Sequence, residues 1–184
     1  MQVTNPGMND PKARLRRNMR SILHEHPADP RPVVAALDRW LDSHRSILTI
    51  AVFAALPGEP DLTTITSAHP GRRWVYPRVE GDHLRFHLVR DPSADLLVGA
   101  FGILEPSPAL PLVETAAIDA FFCPGLAFDP HGGRLGRGKG FYDRMLANAR
   151  PDALKIGICF PCQRVPETYS QDHDIRMDQV VCGD

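Results

Sequence analysis

The chain has 184 residues, of which 43% are hydrophobic and 23% charged, and its formal net charge is −1 at pH 7. This length predicts one globular domain over residues 1–184, with 1–10 expected to form a flexible N-terminal extension. The near-zero net charge provides no general attraction for nucleic acid or a membrane, so neither is expected as a partner. Since no apolar run reaches the roughly 20 residues of a membrane span and no secretory signal is visible, a cytoplasmic location is expected.

Two amphipathic helices are predicted first. One runs from Pro11 to about Glu25, with Asp10 as its N-cap and proline at its first position. On charge alone, its many basic residues indicate a solvated face. The second helix runs from Pro32 to about Ser43.

The rest of the chain alternates short apolar runs with polar loops and one more helical segment. The predicted strands are Ser46–Leu56, Arg72–Val79, His83–Arg90, Ala116–Phe122 and Leu154–Phe160. A helix is predicted from Phe141 to about Arg150, ended by Pro151. The alternation predicts an α/β fold: a single domain with a mainly parallel central sheet flanked by helices.

The loop that follows the first predicted strand carries two acids. Because α/β proteins bind ligands at the carboxyl ends of parallel strands, Glu59 and Asp61 are candidates there. For Asp61 a helix-capping role is the preferred interpretation. Farther on, Trp74 and Tyr76 could stack on a ligand ring, although core packing explains them equally well.

The most distinctive stretch is Pro124–Leu146. Its centre alternates glycine with basic residues: Arg134, Gly136, Arg137, Gly138, Lys139 and Gly140. Alternating glycines let backbone N–H groups converge on an anion, and the cations suit a polyphosphate. Asp143 follows closely and could hold the Mg²⁺ of a nucleotide. An ordinary glycine-rich loop is the alternative.

Two further patterns leave alternatives open. Gly133–Lys139 fits the first seven positions of a P-loop, but Gly140 stands where that motif needs a hydroxyl, so a P-loop nucleotide hydrolase is the weaker hypothesis. Cys159 and Cys162 form a C-F-P-C pair without a second metal-binding pair, and buried or incidental thiols are predicted.

The complete string PGLAFDPHGGRLGRGKGFYDRML resembles the signature of the 5-formyltetrahydrofolate cyclo-ligase family, a P-G-x-A-F-D run followed by R-L-G-x-G-x-G-x-Y-D. Lys12 and Arg16 match that family's K-x-x-x-R helix, and His173-Asp174 matches its closing H-D motif. The resemblance covers nearly all of Lys12 to Val181. One departure is Leu62, which stands where the family's E-x-[DE]-T pattern has threonine.

The resemblance implies a fold like that of the NagB/RpiA/CoA transferase proteins. It implies ATP- and Mg²⁺-dependent cyclisation of 5-formyltetrahydrofolate to 5,10-methenyltetrahydrofolate, through phosphorylation of the formyl oxygen, with release of ADP and phosphate. The expected partner is a reduced folate, with or without additional glutamates, and the expected state is a monomer or weak homodimer. Because of Leu62, a non-catalytic or differently specific ATP/folate-binding paralogue is the alternative.

The resemblance also implies roles for individual residues. Catalytic roles fall to Arg134, Arg137, Lys139 and Tyr142. ATP contacts fall to Lys12, Arg16, Arg134, Leu135, Gly136, Arg137, Gly138, Lys139, Gly140, Phe141 and Tyr142. Folate contacts fall to Glu59, Tyr76, Arg137, Gly138, Lys139, Gly140 and Phe141. The implied Mg²⁺ ligands are Asp143 and Asp174, and Glu105 is a secondary site candidate.

Overall fold

The structure is a computed structural model that describes residues 10–99 and 102–183. Its α-helices are α1 (Pro11–Glu25), α2 (Arg31–Ser43), α3 (Thr63–Ala68), α4 (Pro92–Asp95) and α5 (Phe141–Leu146). Its strands are β1 (Thr49–Ala51), β2 (Arg73–Glu80), β3 (His83–Leu88), β4 (Leu96–Val98), β5 (Leu104–Pro106), β6 (Leu112–Val113), β7 (Ala120–Cys123), β8 (Ala127–Phe128), β9 (Arg134–Leu135), β10 (Leu154–Cys159) and β11 (Gln179–Cys182).

A seven-stranded sheet with the order β11-β10-β7-β1-β2-β3-β6 forms the centre. Strands from β11 to β2 pair in parallel, whereas β3 and β6 extend the sheet in antiparallel fashion. The strands β4–β5 and β8–β9 form two small separate sheets. The prediction of a mainly parallel sheet flanked by helices is therefore confirmed.

The core divides into two apolar clusters because successive side chains of a strand point to opposite faces of the sheet. In β7, Ala120 and Phe122 belong to the cluster that includes residues of α1 and α2, while Phe121 and Cys123 belong to the cluster that includes residues of α5. Within the described ranges, no helix is long and apolar enough to cross a membrane.

The start of α1 follows its sequence signals. The side chain of Asp10 accepts the backbone N–H of Lys12 at 3.0 Å, and Pro11 occupies the first helical position. The predicted N-cap is confirmed. Such a cap stabilises a helix by about 1 kcal/mol, and here it fixes the end of α1 that carries Lys12.

The first strand is much shorter than predicted, since β1 covers Thr49–Ala51 rather than Ser46–Leu56. The residues before it form a turn whose carbonyl groups are used elsewhere. The guanidinium of Arg72 donates to the carbonyls of Leu41, His44 and Ile47. Only the carbonyl of Ile47 lies within the predicted range, so Arg72 accounts for the late start of β1 and not for its early end at Ala51.

The helix after the glycine-rich stretch is also shorter, because α5 ends at Leu146 rather than near Arg150. Backbone bonds in the following turn, from Asn148 N–H to Met145 and from Ala149 N–H to Leu146, span three residues instead of four. Pro151 disfavours helical geometry only in the residue before it, Arg150, so the early end at Leu146 reflects the turn and not the proline alone.

The glycine-rich stretch begins as a hairpin and not as a P-loop. Strands β8 and β9 pair in antiparallel fashion, with Ala127 opposite Leu135 and Phe128 opposite Arg134. A P-loop instead leads directly from a strand into a helix. The P-loop hypothesis is thus wrong for this segment.

Candidate functional site

A cavity of about 1020 Å³ lies between α1, the loop after β1, strands β2 and β5, and the glycine-rich stretch. Apart from Tyr76, every residue to which the family resemblance assigned a site role lines it, whereas the further candidates Asp61 and Trp74 do not. Glu105 lines it as well. The cavity thus brings together residues that lie as far apart in sequence as Lys12 and Asp174.

The turn between β8 and β9 is fixed by a buried carboxylate. Asp129 accepts the N–H groups of His131 and Gly133 at 2.9 and 3.0 Å, and both the N–H and the hydroxyl of Thr168 at 3.0 and 2.6 Å. A Cβ on Gly133 would lie 2.2 Å from that carboxylate, so glycine is required there. The aspartate of the P-G-x-A-F-D run therefore anchors the glycine-rich loop.

Two arginines of α1 hold the glycine-rich loop from one side. Arg16 donates through Nε to the carbonyl of Gly136 at 3.1 Å, and Arg20 donates through Nη2 to the carbonyl of Arg137 at 3.3 Å. In a trans peptide the carbonyl and the next N–H point in opposite directions. The N–H groups of Arg137 and Gly138 therefore point away from these arginines.

Arg20 was not among the predicted site residues, although it lines the cavity. The signal that could have found it is its spacing of four residues from Arg16, which places both on one face of α1.

Arg137 and Glu59 form an ion pair across the cavity. Nη2 of Arg137 lies 2.9 Å from Oε1 of Glu59, whose side chain is only 5% exposed. Glu59 also accepts the N–H of Leu56 at 3.0 Å. Burial raises the pKa of Glu59, and the charge of Arg137 opposes that rise only in part.

A second pair lies inside the wall of the cavity. Nη2 of Arg134 donates to Oδ1 of Asp143 at 2.9 Å, and the guanidinium carbon lies 5.3 Å from the centre of the Tyr142 ring. The Arg134 side chain is 3% exposed, so its charge faces protein groups instead of open solvent. It is placed to position Asp143 and Tyr142.

The third ion pair joins a residue near the start of the described chain to one near its end. Lys12 Nζ contacts the carboxylate of Asp174, which also accepts the N–H of Gln171 at 2.7 Å. Burial of Asp174 would raise its pKa, but the hydrogen bonds from Lys12 and Gln171 outweigh burial, and the net pKa is lowered. Asp174 is consequently ionised at neutral pH.

Asp143 and Asp174 offer the hard carboxylate oxygens that Mg²⁺ prefers. They lie close together, because Asp143 Oδ1 accepts the N–H of Ile175, the neighbour of Asp174, at 3.3 Å. Residues 10–99 and 102–183 contain no group of three or more histidine, cysteine, aspartate or glutamate side chains placed to hold a metal. In this structure the two carboxylates are paired with cations of the protein, Asp143 with Arg134 and Asp174 with Lys12.

Tyr142 and Cys123 have chemistry set by burial. Burial raises the pKa of Tyr142 well above its usual value, so its phenol is a proton-bearing donor at neutral pH. Burial also raises the pKa of Cys123 to about 12, which leaves that thiol without nucleophilic thiolate.

Tyr76 lies in the core and not on the cavity wall. Its side chain is 2% exposed and belongs, with Trp74, to the cluster beneath α1 and α2. Its strand neighbours Pro77 and Val79 line the cavity instead. The sequence implied a folate contact for Tyr76, but this side chain points to the other side of β2.

The loop after β1 divides its residues between core and cavity. The carboxylate of Asp61 accepts the N–H of Thr63 at 2.9 Å, but the N-cap of α3 is Leu62, which makes no side-chain cap hydrogen bond, so the capping prediction for Asp61 is wrong by one residue. Leu62 is buried in the core and does not line the cavity. The departure from threonine at this position thus leaves the cavity lining unchanged.

The cysteines of the C-F-P-C motif are not partners. Cys159 is buried with its Sγ 2.8 Å from Sγ of Cys182 on the neighbouring strand, whereas Cys162 is exposed. The buried-thiol prediction holds for Cys159, and its neighbour is a residue that the motif did not indicate.

The sequence model of the 5-formyltetrahydrofolate cyclo-ligase family matches residues 9–183. The chain belongs to this family of enzymes. A 5-formyltetrahydrofolate cyclo-ligase of Haemophilus influenzae is 30% identical over 179 residues, covering 92% of each chain. One of Mycolicibacterium smegmatis is 30% identical over 154 residues, covering 79% of each.

Solved structures agree with the cyclo-ligase family assignment. The 5,10-methenyltetrahydrofolate synthetase of Aquifex aeolicus superposes with a TM-score of 0.79 at 31% identity, covering 94% of this chain and 89% of that one. A synthetase of that name from Mycoplasma pneumoniae has a TM-score of 0.77 at 22% identity and covers 94% of this chain and 98% of its own. At this low identity, the similarity to the Mycoplasma pneumoniae structure supports the fold alone.

Proposed function

We propose that this protein converts 5-formyltetrahydrofolate to 5,10-methenyltetrahydrofolate with ATP and Mg²⁺, releasing ADP and phosphate. The proposal rests on one observation. The cations implied for ATP binding and Glu59, implied for folate binding, line the same cavity. Cations of α1 and of the glycine-rich loop line one wall, and Glu59 lines the loop opposite. Such a cavity can bring a polyphosphate and a second substrate together.

The formyl amide is a poor electrophile, and its oxygen is a poor leaving group. Transfer of the γ-phosphoryl group to the formyl oxygen converts that oxygen into a phosphate ester. Nitrogen 10 then attacks the formyl carbon and loses its proton to solvent, the C–O bond breaks, and phosphate leaves with the electron pair. Such a transfer asks the protein mainly to position the reactants and to stabilise charge.

The residues of this chain divide those tasks. Arg137 and Lys139 hold the triphosphate, with backbone N–H groups of the glycine-rich loop, while Arg16 fixes that loop through the carbonyl of Gly136. Asp143 and Asp174 would hold Mg²⁺, which supplies charge neutralisation for the phosphates. The un-ionised phenol of Tyr142 donates a hydrogen bond near the transferring group.

The deciding experiment follows the absorbance of the methenyl product. Purified protein is mixed with 5-formyltetrahydrofolate, ATP and Mg²⁺, and parallel reactions omit ATP or replace Mg²⁺ with a chelator. We expect the chromophore only in the complete reaction, together with one ADP for each product formed. A protein that binds both substrates but never forms the chromophore would instead be a binding paralogue.

A further inference from the structure

Cys159 and Cys182 end two neighbouring strands of the central sheet. Strands β10 and β11 pair in parallel, and their register places Cys159 directly beside Cys182. The two Sγ atoms lie 2.8 Å apart. Both side chains belong to the same apolar cluster, so they leave the sheet on one face. Neither residue lines the large cavity.

This placement meets the geometric requirements of a disulfide. Neighbouring strands lie about 4.8 Å apart, and the Cα atoms of a disulfide are usually separated by about 4.4–6.8 Å. Two residues in register, with their sulfur atoms in contact, can therefore be joined with little movement of the backbone. The sequence motif offers Cys162 as the partner of Cys159, but the structure places Cys182 there and leaves Cys162 exposed.

We propose that Cys159 and Cys182 are a reversible disulfide site, oxidised by the disulfide of a small thiol such as glutathione. The thiolate of Cys182 attacks one sulfur of the small disulfide, and one small thiolate leaves. The thiolate of Cys159 then attacks the sulfur of Cys182, the protein S–S bond forms, and the second small thiolate leaves. The two cysteines lose two electrons and two protons, and the small disulfide is reduced to two thiols.

Cys182 is the residue that meets the oxidant first. It is 9% exposed, whereas Cys159 is 0% exposed. Among the described strands, β11 pairs with β10 alone, so local opening exposes it more readily than a central strand. Cys123 lies on the central strand β7, and burial raises its pKa to about 12. That thiol should stay reduced.

The bond closes a ring that contains the connection between β10 and β11. Between the 3-10 helix Pro161–Gln163 and β11, residues 164–178 form no helix or strand. Side chains and backbone groups of the ring hold the stretch Pro124–Leu146 or α1, through Gln163, Thr168, Asp174 and Ile175. Since a closed ring restricts the unfolded chain more than the folded one, oxidation should stabilise this side of the cavity.

The test uses Cys162→Ser in redox buffers of reduced and oxidised glutathione. The chain has four cysteines, and this variant keeps the three that are buried. After alkylation in denaturant, trypsin cuts at Arg164 and Arg176 and places Cys159 and Cys182 in separate peptides. We expect mass spectrometry to find these two peptides joined, with Cys123 alkylated, and a reductant to separate them.

Thermal unfolding measures the effect of the bond. The oxidised form of Cys162→Ser should have a Tm roughly 5–10 °C above that of its reduced form, from the loop-closure entropy of a ring of this size. The comparison is made within one protein, so it does not depend on the folding of another variant. Cys182→Ala is the matched control, and its Tm should be the same in both buffers because it cannot form the bond.

Several results would overturn the proposal. Cys159 and Cys182 could both remain alkylated at the highest proportion of oxidised glutathione, or Cys182 could keep an attached glutathione and never release it to Cys159. In the parent protein, a bond from Cys159 to Cys162 in place of Cys182 would also overturn it. A bond that forms but leaves Tm unchanged or lowers it would overturn the stabilising role of the ring. These readouts do not involve the folate reaction, so they stand whether or not the methenyl product forms.

Discussion

Arg137 and Glu59 neutralise each other across the cavity, with 2.9 Å between Nη2 and Oε1. The sequence assigned Glu59 to folate and Arg137 to both substrates, yet in this structure each is the partner of the other. Under the proposed function, a triphosphate would compete for Arg137 and a folate would compete for Glu59. Each substrate would thus release a group that the other can use, and we expect their binding to be mutually favourable.

Glu59→Gln should weaken folate binding by roughly ten-fold or more, because a charged acceptor is replaced by a neutral one. ATP binding should barely change, and MgATP should increase folate affinity less in the variant than in the parent. Calorimetric titration with folate, alone and after saturation with MgATP, measures both quantities. Glu167→Gln, an exposed Glu outside the cavity, is the control. Equal folate affinity in parent and variant would leave Glu59 as a turn residue.

Arg20→Ala should raise the apparent KM for ATP by roughly three-fold to ten-fold, since the carbonyl of Arg137 loses its donor and the loop is less fixed. The KM for folate and kcat should change less. Arg17→Ala removes an exposed arginine of the same helix that does not line the cavity. Steady-state kinetics with each substrate varied in turn makes the comparison. Equal effects of both variants would indicate a loss of general positive charge.

Asp143→Asn should lose most ATP-dependent turnover, because Mg²⁺ favours anionic oxygen. It should also unfold more easily, by about 1–3 kcal/mol, since the buried Arg134 loses a charged acceptor. Turnover measured against Mg²⁺ concentration separates the two effects. A metal ligand shifts the curve to much higher Mg²⁺ or abolishes activity, whereas a purely structural aspartate lowers stability and leaves the Mg²⁺ dependence where it was.

The Lys12–Asp174 pair should make the free energy of unfolding depend on pH in the acidic range. The pKa of Asp174 is lowered below its model-peptide value of 3.8 in the folded protein, so the folded state binds fewer protons than the unfolded one between the two pKa values. The stabilisation is complete above 3.8 and is lost as the pH falls through the folded pKa. The free energy of unfolding of the parent should therefore fall relative to Asp174→Asn in that range. Urea unfolding at a series of acidic pH values measures this difference, and parallel curves would contradict the assignment.

Local signals predicted α1 and the mainly parallel character of the sheet well, because capping and apolar runs act over a few residues. The start of β1 and the end of α5 depended on particular hydrogen bonds, from Arg72 to Ile47 and in the turn after Leu146, which composition does not reveal. Tyr76 shows the limit most clearly. Neighbouring residues of β2 face opposite sides of the sheet, one toward the core and the other toward the cavity. The strand has no regular alternation of polar and apolar residues, so its sequence does not show which side Tyr76 faces.

The candidate site was predictable where a motif is continuous, as in the glycine-rich loop. It was not predictable where two distant groups meet. Asp143 matched a metal-ligand motif, but its bond to the buried Arg134 required the β8–β9 hairpin to place the two side chains together. The sequence around Glu105 did not show that this residue is buried, because its burial depends on β2 and β5 lying side by side.

The contact between Lys12 and Asp174 joins residues that are 162 positions apart. The cavity can assemble only after nearly all of the described chain has folded, so an unfolded or half-folded molecule has no equivalent binding site. A ligand of the cavity then binds the native state alone and stabilises it by RT ln(1 + [L]/Kd), about 2.7 kcal/mol at a hundred-fold excess over Kd. Substrate supply would consequently govern how long the enzyme survives proteolysis as well as how fast it works.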